Sequence, residues 1–193
     1  MSRDPRPSAT VGHQSMTMGQ DEGAPLEVPN PNLFRRVMAS FATGVTIITT
    51  SSAGEIRGMT ANAFMSGSLD PPLCVVSIAK KARMHAILEE AGHFGVNILS
   101  HDQDTLVGHF AGRPVEDFLP DYDYADETPV LSRACATIAA TVAERYECGD
   151  HTLFVGHIFK MRVNENAAPL VFQAGRIASL RPSQRLWPLG AFW

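Results

Sequence analysis

Residues 57–78 read RGMTANAFMSGSLDPPLCVVSI, and the fold follows from how this stretch divides. Arg57 to Ser66 and Leu73 to Ala79 have the composition of strands, and Pro71-Pro72 between them breaks the chain. The stretch also carries short hydroxyl and amide side chains, Thr60, Asn62, Ser66 and Ser68, with backbone groups among glycines. Such a strip suits the polar edge of a planar ligand whose faces need an apolar slot.

Outward from this stretch the β signal continues. Val45 to Ser51 precedes it, joined through a hairpin turn at Ser52-Ala53-Gly54, and His93 to Leu99 follows. Cys135 to Glu147, Thr152 to Val163, Leu170 to Phe172 and Gly175 to Leu180 supply the later strands. Three helices are expected. The first starts at Asn30-Pro31, with Asn as cap and Pro at the first position, carries Leu33, Phe34, Val37, Met38 and Phe41 on one face, and should end near Phe41. The second spans Ala82 to Ala91 and stops at Gly92, and the third covers Gln103 to Phe110. The acid-rich segment Tyr122 to Pro129 reads as an exposed loop. Many short strands with tight turns and few helices point to a mainly β, antiparallel, closed or partly closed barrel.

The 193 residues, 45% of them hydrophobic, suffice for one core. The expected organisation is a disordered tail over 1–29, one domain over 30–181 and an aromatic tail over 182–193, whose Trp187, Phe192 and Trp193 offer surface for a partner subunit to cover. A net charge of -4 argues against a nucleic-acid or anionic-membrane partner, and the absence of a long apolar run or signal peptide suggests a cytoplasmic protein. Cys74, Cys135 and Cys148 lack metal-type spacing and read as reduced thiols, Cys74 as a small buried hydrophobe.

Two further groups can carry chemistry. Ser77-Ile78-Ala79-Lys80-Lys81 runs into the second helix, so a basic pair and free backbone amides converge where a phosphate can sit; a solvated Lys-Lys turn is the plainer alternative. Gly149-Asp150-His151 opens a strand, and His151 is the residue there able to change charge near neutral pH; the alternative is a turn followed by an ordinary strand residue. Cys148-x-x-His151 alone falls short of a metal site, so no metal is expected, and His101 and His109 flank the third helix as surface or capping residues. Dinucleotide-fold, phosphate-loop and hydrolase motifs are missing.

Taken in order, Phe41-Ala42-Thr43-Gly44-Val45-Thr46, Arg57 to Ile78, Phe94-Gly95-Val96-Asn97-Ile98-Leu99, Gly149-Asp150-His151 and Pro169-Leu170-Val171-Phe172 with Gly175-Arg176 make a set that resembles the flavin reductase family. The resemblance covers residues 33–180. It implies an FMN-binding split barrel of Greek-key type with peripheral helices, which passes hydride from NADH or NADPH to FMN or FAD and supplies reduced flavin to a partner monooxygenase. It also implies a homodimer. By the same resemblance, Gly58, Met59, Thr60, Ala61, Asn62, Ala63 and Phe64 line the flavin edge, Ser77, Ile78, Ala79 and Lys80 approach its phosphate, and Met84, Asn97, Phe110, Gly149 and Asp150 complete the pocket. His151 positions the nicotinamide. The family often carries small hydroxyl residues at the positions of Ala82 and Met84, which this chain lacks. Two other readings stay open: a split barrel that holds flavin or haem without turnover, and an interaction protein that binds neither.

Overall fold

A computed structural model describes residues 25–180. The aromatic tail and residues 1–24 of the expected N-terminal tail lie outside the described residues, while residues 25–30 run exposed without helix or strand. Helix α1 (Pro31–Ala39) begins as expected, the Asn30 side chain accepting from the Asn32 and Leu33 amides, but ends two residues before Phe41 and buries none of its own residues.

The main sheet holds seven antiparallel strands: β2 (Thr46–Ser52), β3 (Glu55–Ala61), β4 (Phe64–Ser68), β5 (Leu73–Ala79), β6 (His93–Ile98), β9 (Ala136–Cys148) and β10 (His151–Val163). Their order is β3-β2-β6-β9-β10-β5-β4. The segment Arg57–Ser66, read as one strand, is therefore two. It breaks at Asn62-Ala63, and its halves stand at opposite ends of the sheet. A flat sheet of this width would hold its edges about 29 Å apart, whereas the three residue steps from Ala61 to Phe64 span at most about 11 Å. The sheet must curl until its edges meet. This closure makes the split barrel, and the Ser77 amide donating to Ala63 O at 3.0 Å ties the crossing to β5.

Alternation then creates two cores. Ile48, Val76, Ile78, Phe94, Val96 and Phe154 point inward and pack with Met84 and Leu88 of helix α2 (Arg83–Ala91), which stops at Gly92 with φ +68°. Val45, Ile47, Leu99 and Leu170 face the other way, against Leu106 of helix α3 (Asp104–Phe110) and Leu131. Leu131 belongs to a hairpin, β7 (Tyr122–Ala125) and β8 (Thr128–Leu131), where the sequence suggests an exposed loop. All four residues of β8 are buried. The acidic groups remain at the surface, Asp123 paired with Arg162 and Asp126 with Lys160, while β8 slides beneath them over β2 and β6. Gly95 permits this approach, since a Cβ there would lie 2.6 Å from both Pro129 O and Thr49 Oγ1. A small third sheet joins β1 (Thr43–Gly44), β11 (Leu170–Gln173) and β12 (Arg176–Ser179).

Candidate active site

Edge strand β3, the start of α2 and the end of α3 enclose a cleft of about 830 Å³, within the size range of small-molecule sites. Met59, Met84, Ile87 and Phe110 provide apolar walls, and Arg57, Arg83 and His109 a basic rim. Gly58 belongs here for a steric reason. The Phe110 ring lies where a Cβ would stand. His109 turns its ring edge toward Phe110 and Phe118, and its Nδ1 accepts from the Val115 amide, which holds the loop closing this wall.

Helix α2 presents an open end to the cleft. Ala82 cannot cap it with a side chain, so the Arg83 and Met84 amides have no acceptor among the described residues. These amides and Arg83 favour an anion. Lys80 stands just before them, its ammonium paired with Glu147 and its amide donating to Asp150 O at 3.0 Å. Thr60, Ala61 and Asn62 line a second, mostly apolar pocket of about 240 Å³ with Val45, Val107 and Phe172. The Thr60 hydroxyl donates to Val107 O at 2.8 Å, so it fastens α3 to the strand.

The Gly149-Asp150 turn joins β9 to β10, Gly149 taking φ +61°. His151 opens β10 opposite Ala79, and its Nδ1 lies 2.8 Å from Asp150 Oδ1. That hydrogen bond, reinforced by the imidazole charge, holds Asp150 below the usual carboxylate range. An ionised carboxylate can only accept, so the proton sits on Nδ1 and Nε2 is left for a ligand.

The residues singled out in the sequence thus separate. Gly58, Met59, Met84 and Phe110 meet in the cleft, and Thr60, Ala61 and Asn62 share the smaller pocket. Ser77 and Ala79 are half-buried on the outer face of β5, while Ile78 and Phe64 turn to the inner core, where only their backbones could serve a ligand. Asp150 and His151 border the β5–α2 junction without lining the cleft. Asn97 is fully buried and lines neither pocket: its side-chain amide donates to Ile47 O and Thr49 Oγ1, and its carbonyl accepts from the Leu131 amide. Sequence reasoning also missed Arg57, Arg83, Ile87 and His109. Helical spacing from Met84 places Ile87 beside it, and Ile87 in turn stands one turn from Arg83; no local pattern marks the other two.

Cys74, Cys135 and Cys148 are all free thiols, and burial pushes Cys74 up to about 11. No metal-binding cluster occurs among the described residues.

The model of the "Flavin reductase like domain" family matches residues 38–181. The chain belongs to the flavin reductase family. With the family come the split-barrel fold and the enzyme class, a nicotinamide-dependent flavin oxidoreductase. An NADH-dependent flavin reductase from Rhodococcus is 39% identical over 163 residues, which cover 83% of this chain and 92% of that relative. The reductase component of 4-hydroxyphenylacetate 3-monooxygenase from Thermus thermophilus is 38% identical over 78% of this chain and 97% of its own. Among solved structures, the NADH:FAD oxidoreductase SgcE6 of Streptomyces globisporus, in complex with NAD and FAD fragments, superposes with a TM-score of 0.77 at 34% identity, covering 84% of this chain and all of that one. For a flavin reductase the cleft is chemically apt. Apolar walls suit a ring's faces, and an uncapped helix end beside Arg83 suits a phosphate.

Proposed function

We propose that this chain reduces FMN or FAD with NADH at the cleft between β3 and α2 and releases the reduced flavin to a partner monooxygenase. Flavin held there would supply the acceptor for a hydride from the nicotinamide. The observation that carries the reading is the uncapped start of α2 opening into an apolar cleft, with the His151 turn attached to the same junction. Met59, Met84 and Phe110 orient a ring and exclude water; the Arg83 and Met84 amides, Arg83 and Lys80 hold a phosphate; the Asn62 region meets a polar edge. Asp150 keeps the proton on His151 Nδ1, so that Nε2 meets the nicotinamide carboxamide. The protein thus contributes orientation rather than acid–base chemistry. Relatives named as NADH-dependent reductases and as a monooxygenase component support the donor and the partner.

Anaerobic mixing of the protein with NADH and a small excess of FMN tests this. Rapid loss of the flavin visible band is expected, and repeating with FAD and NADPH ranks the cofactors. Binding without bleaching would make the chain a passive flavin carrier. If flavin neither binds nor shifts the melting temperature, both flavin readings fail, and a haem-binding or interaction role on the same fold remains.

The domain assigned is 30–181, the location cytoplasmic and the state a homodimer. No helix among the described residues is long and apolar enough to cross a membrane. The dimer is supported by apolar surface left bare in one chain, Phe34, Val37, Met38 and Phe41 on or next to α1 and Met161 and Val163 on β10. Sedimentation equilibrium at micromolar concentration should give twice the chain mass; the single-chain mass would refute it.

A further inference from the structure

We propose that His85 is a positioning residue, whose hydrogen bond to Thr152 holds the open end of α2 at a set distance from His151. The inference rests on the reductase reading, and it concerns a residue outside the cleft lining. His85 is the third residue of α2 and its side chain is 12% exposed. Its Nε2 lies 2.8 Å from Thr152 Oγ1, its Nδ1 faces the Glu89 carboxylate one turn later at 3.6 Å, and its ring edge meets Phe154 at 5.4 Å between centroids. The imidazole is thus held on three sides.

Thr152 explains itself only through this bond. It directly follows His151 on β10, is 2% exposed, and stands on the inward face of the strand with Phe154, where valine would fill the same space. A hydroxyl buried there without a partner would be costly. On the other side of the helix start, Lys80 fastens the same turn through its amide bond to Asp150 O and its ion pair with Glu147. Lys80 and His85 therefore bracket the uncapped amides of Arg83 and Met84, and both reach into residues 147–152. Part of the Lys80 attachment is backbone and survives substitution. The His85–Thr152 tie is made by side chains alone, so it can be cut without rebuilding the strand.

Thr152→Val, Thr152→Ser and wild type should be compared by steady-state kinetics and, without flavin, by hydrogen–deuterium exchange of the peptides covering 85–91, where the helix amides are hydrogen-bonded, and 148–152. Thr152→Val should lower kcat/KM for NADH about tenfold, as expected for reacting partners held less well in register, and leave KM for FMN within about threefold of wild type. Exchange should rise in both peptides together, and Thr152→Ser should restore both readouts. Wild-type kinetics in Thr152→Val, equal impairment in Thr152→Ser, or unchanged exchange would overturn the tie. A wild-type protein that binds flavin without reducing it would instead overturn the reductase reading, and the positioning role with it.

Discussion

Replacing His151 by alanine is expected to lower kcat/KM for NADH by about two orders of magnitude, while KM for FMN stays within about twofold. The asymmetry follows from where the residue stands. His151 borders the β5–α2 junction but does not line the cleft, so a flavin held by Met59, Met84, Phe110 and the start of α2 loses no contact. What disappears is a donor or acceptor of defined direction. The Gly149 turn aims the side chain, and the bond from Nδ1 to Asp150 fixes which nitrogen is free. Because the hydrogen bond to His151 lowers the folded-state pKa of Asp150, its carboxylate remains ionised through the neutral range and the bond weakens only as the pH falls into the acid range. The orientation of His151 should therefore hold across the pH range of ordinary assays. Stopped-flow reduction with NADH and FMN varied separately decides the matter. Equal losses for both substrates, or none, would remove His151 from the nicotinamide side.

Asn97→Ala should destabilise the fold by about 3 kcal/mol, which for a domain of this size lowers the melting temperature by about 6 to 12 °C. Asn97 joins three segments at once: its amide donates to Ile47 O and Thr49 Oγ1, and its carbonyl accepts from Leu131 N. Truncation leaves the Leu131 N–H buried without a partner, and buried amides without acceptors are rare in native proteins. It also loosens β8 from β2 and β6, where Thr49 Oγ1 to Pro129 O at 2.5 Å becomes the neighbouring side-chain tie that remains. A melt shifted by less than about 2 °C would show that water or relaxation satisfies these groups. Flavin reduction below the melt should be unchanged, because Asn97 lies on the far side of β6 from the inner core that contains Met84.

These two residues also mark how far the sequence can be read. The strand Leu73 to Ala79 is visible in the letters and holds in the structure, where Cys74, Val76 and Ile78 turn inward and Val75, Ser77 and Ala79 outward because side chains on a strand must alternate whatever its partner. The same holds for Asn30-Pro31 and Gly92, whose capping is decided by one or two neighbours, and for the Ala53-Gly54 turn, where both residues take positive φ. The ordered motifs, including Gly149-Asp150-His151, were enough to indicate the family and the enzyme class. Gly58, Met59, Met84 and Phe110 were legible as neighbours of one ligand only through that resemblance.

Other features depend on partners far along the chain. The break at Asn62-Ala63 leaves little local signal, because it arises when the sheet closes and sends β3 and β4 to opposite edges. The burial of β8 requires Gly95 and Thr49, the basic rim of the cleft joins Arg57, Arg83 and His109 from three elements, and Asn97 becomes a core residue once Leu131 arrives above it. The sequence by itself determined most of the strands and helices and the family, since periodicity and capping are local. Closure, the second core and the walls of the cleft were decided only by tertiary structure, because a strand's alternation says which face is apolar and never which distant segment will cover it.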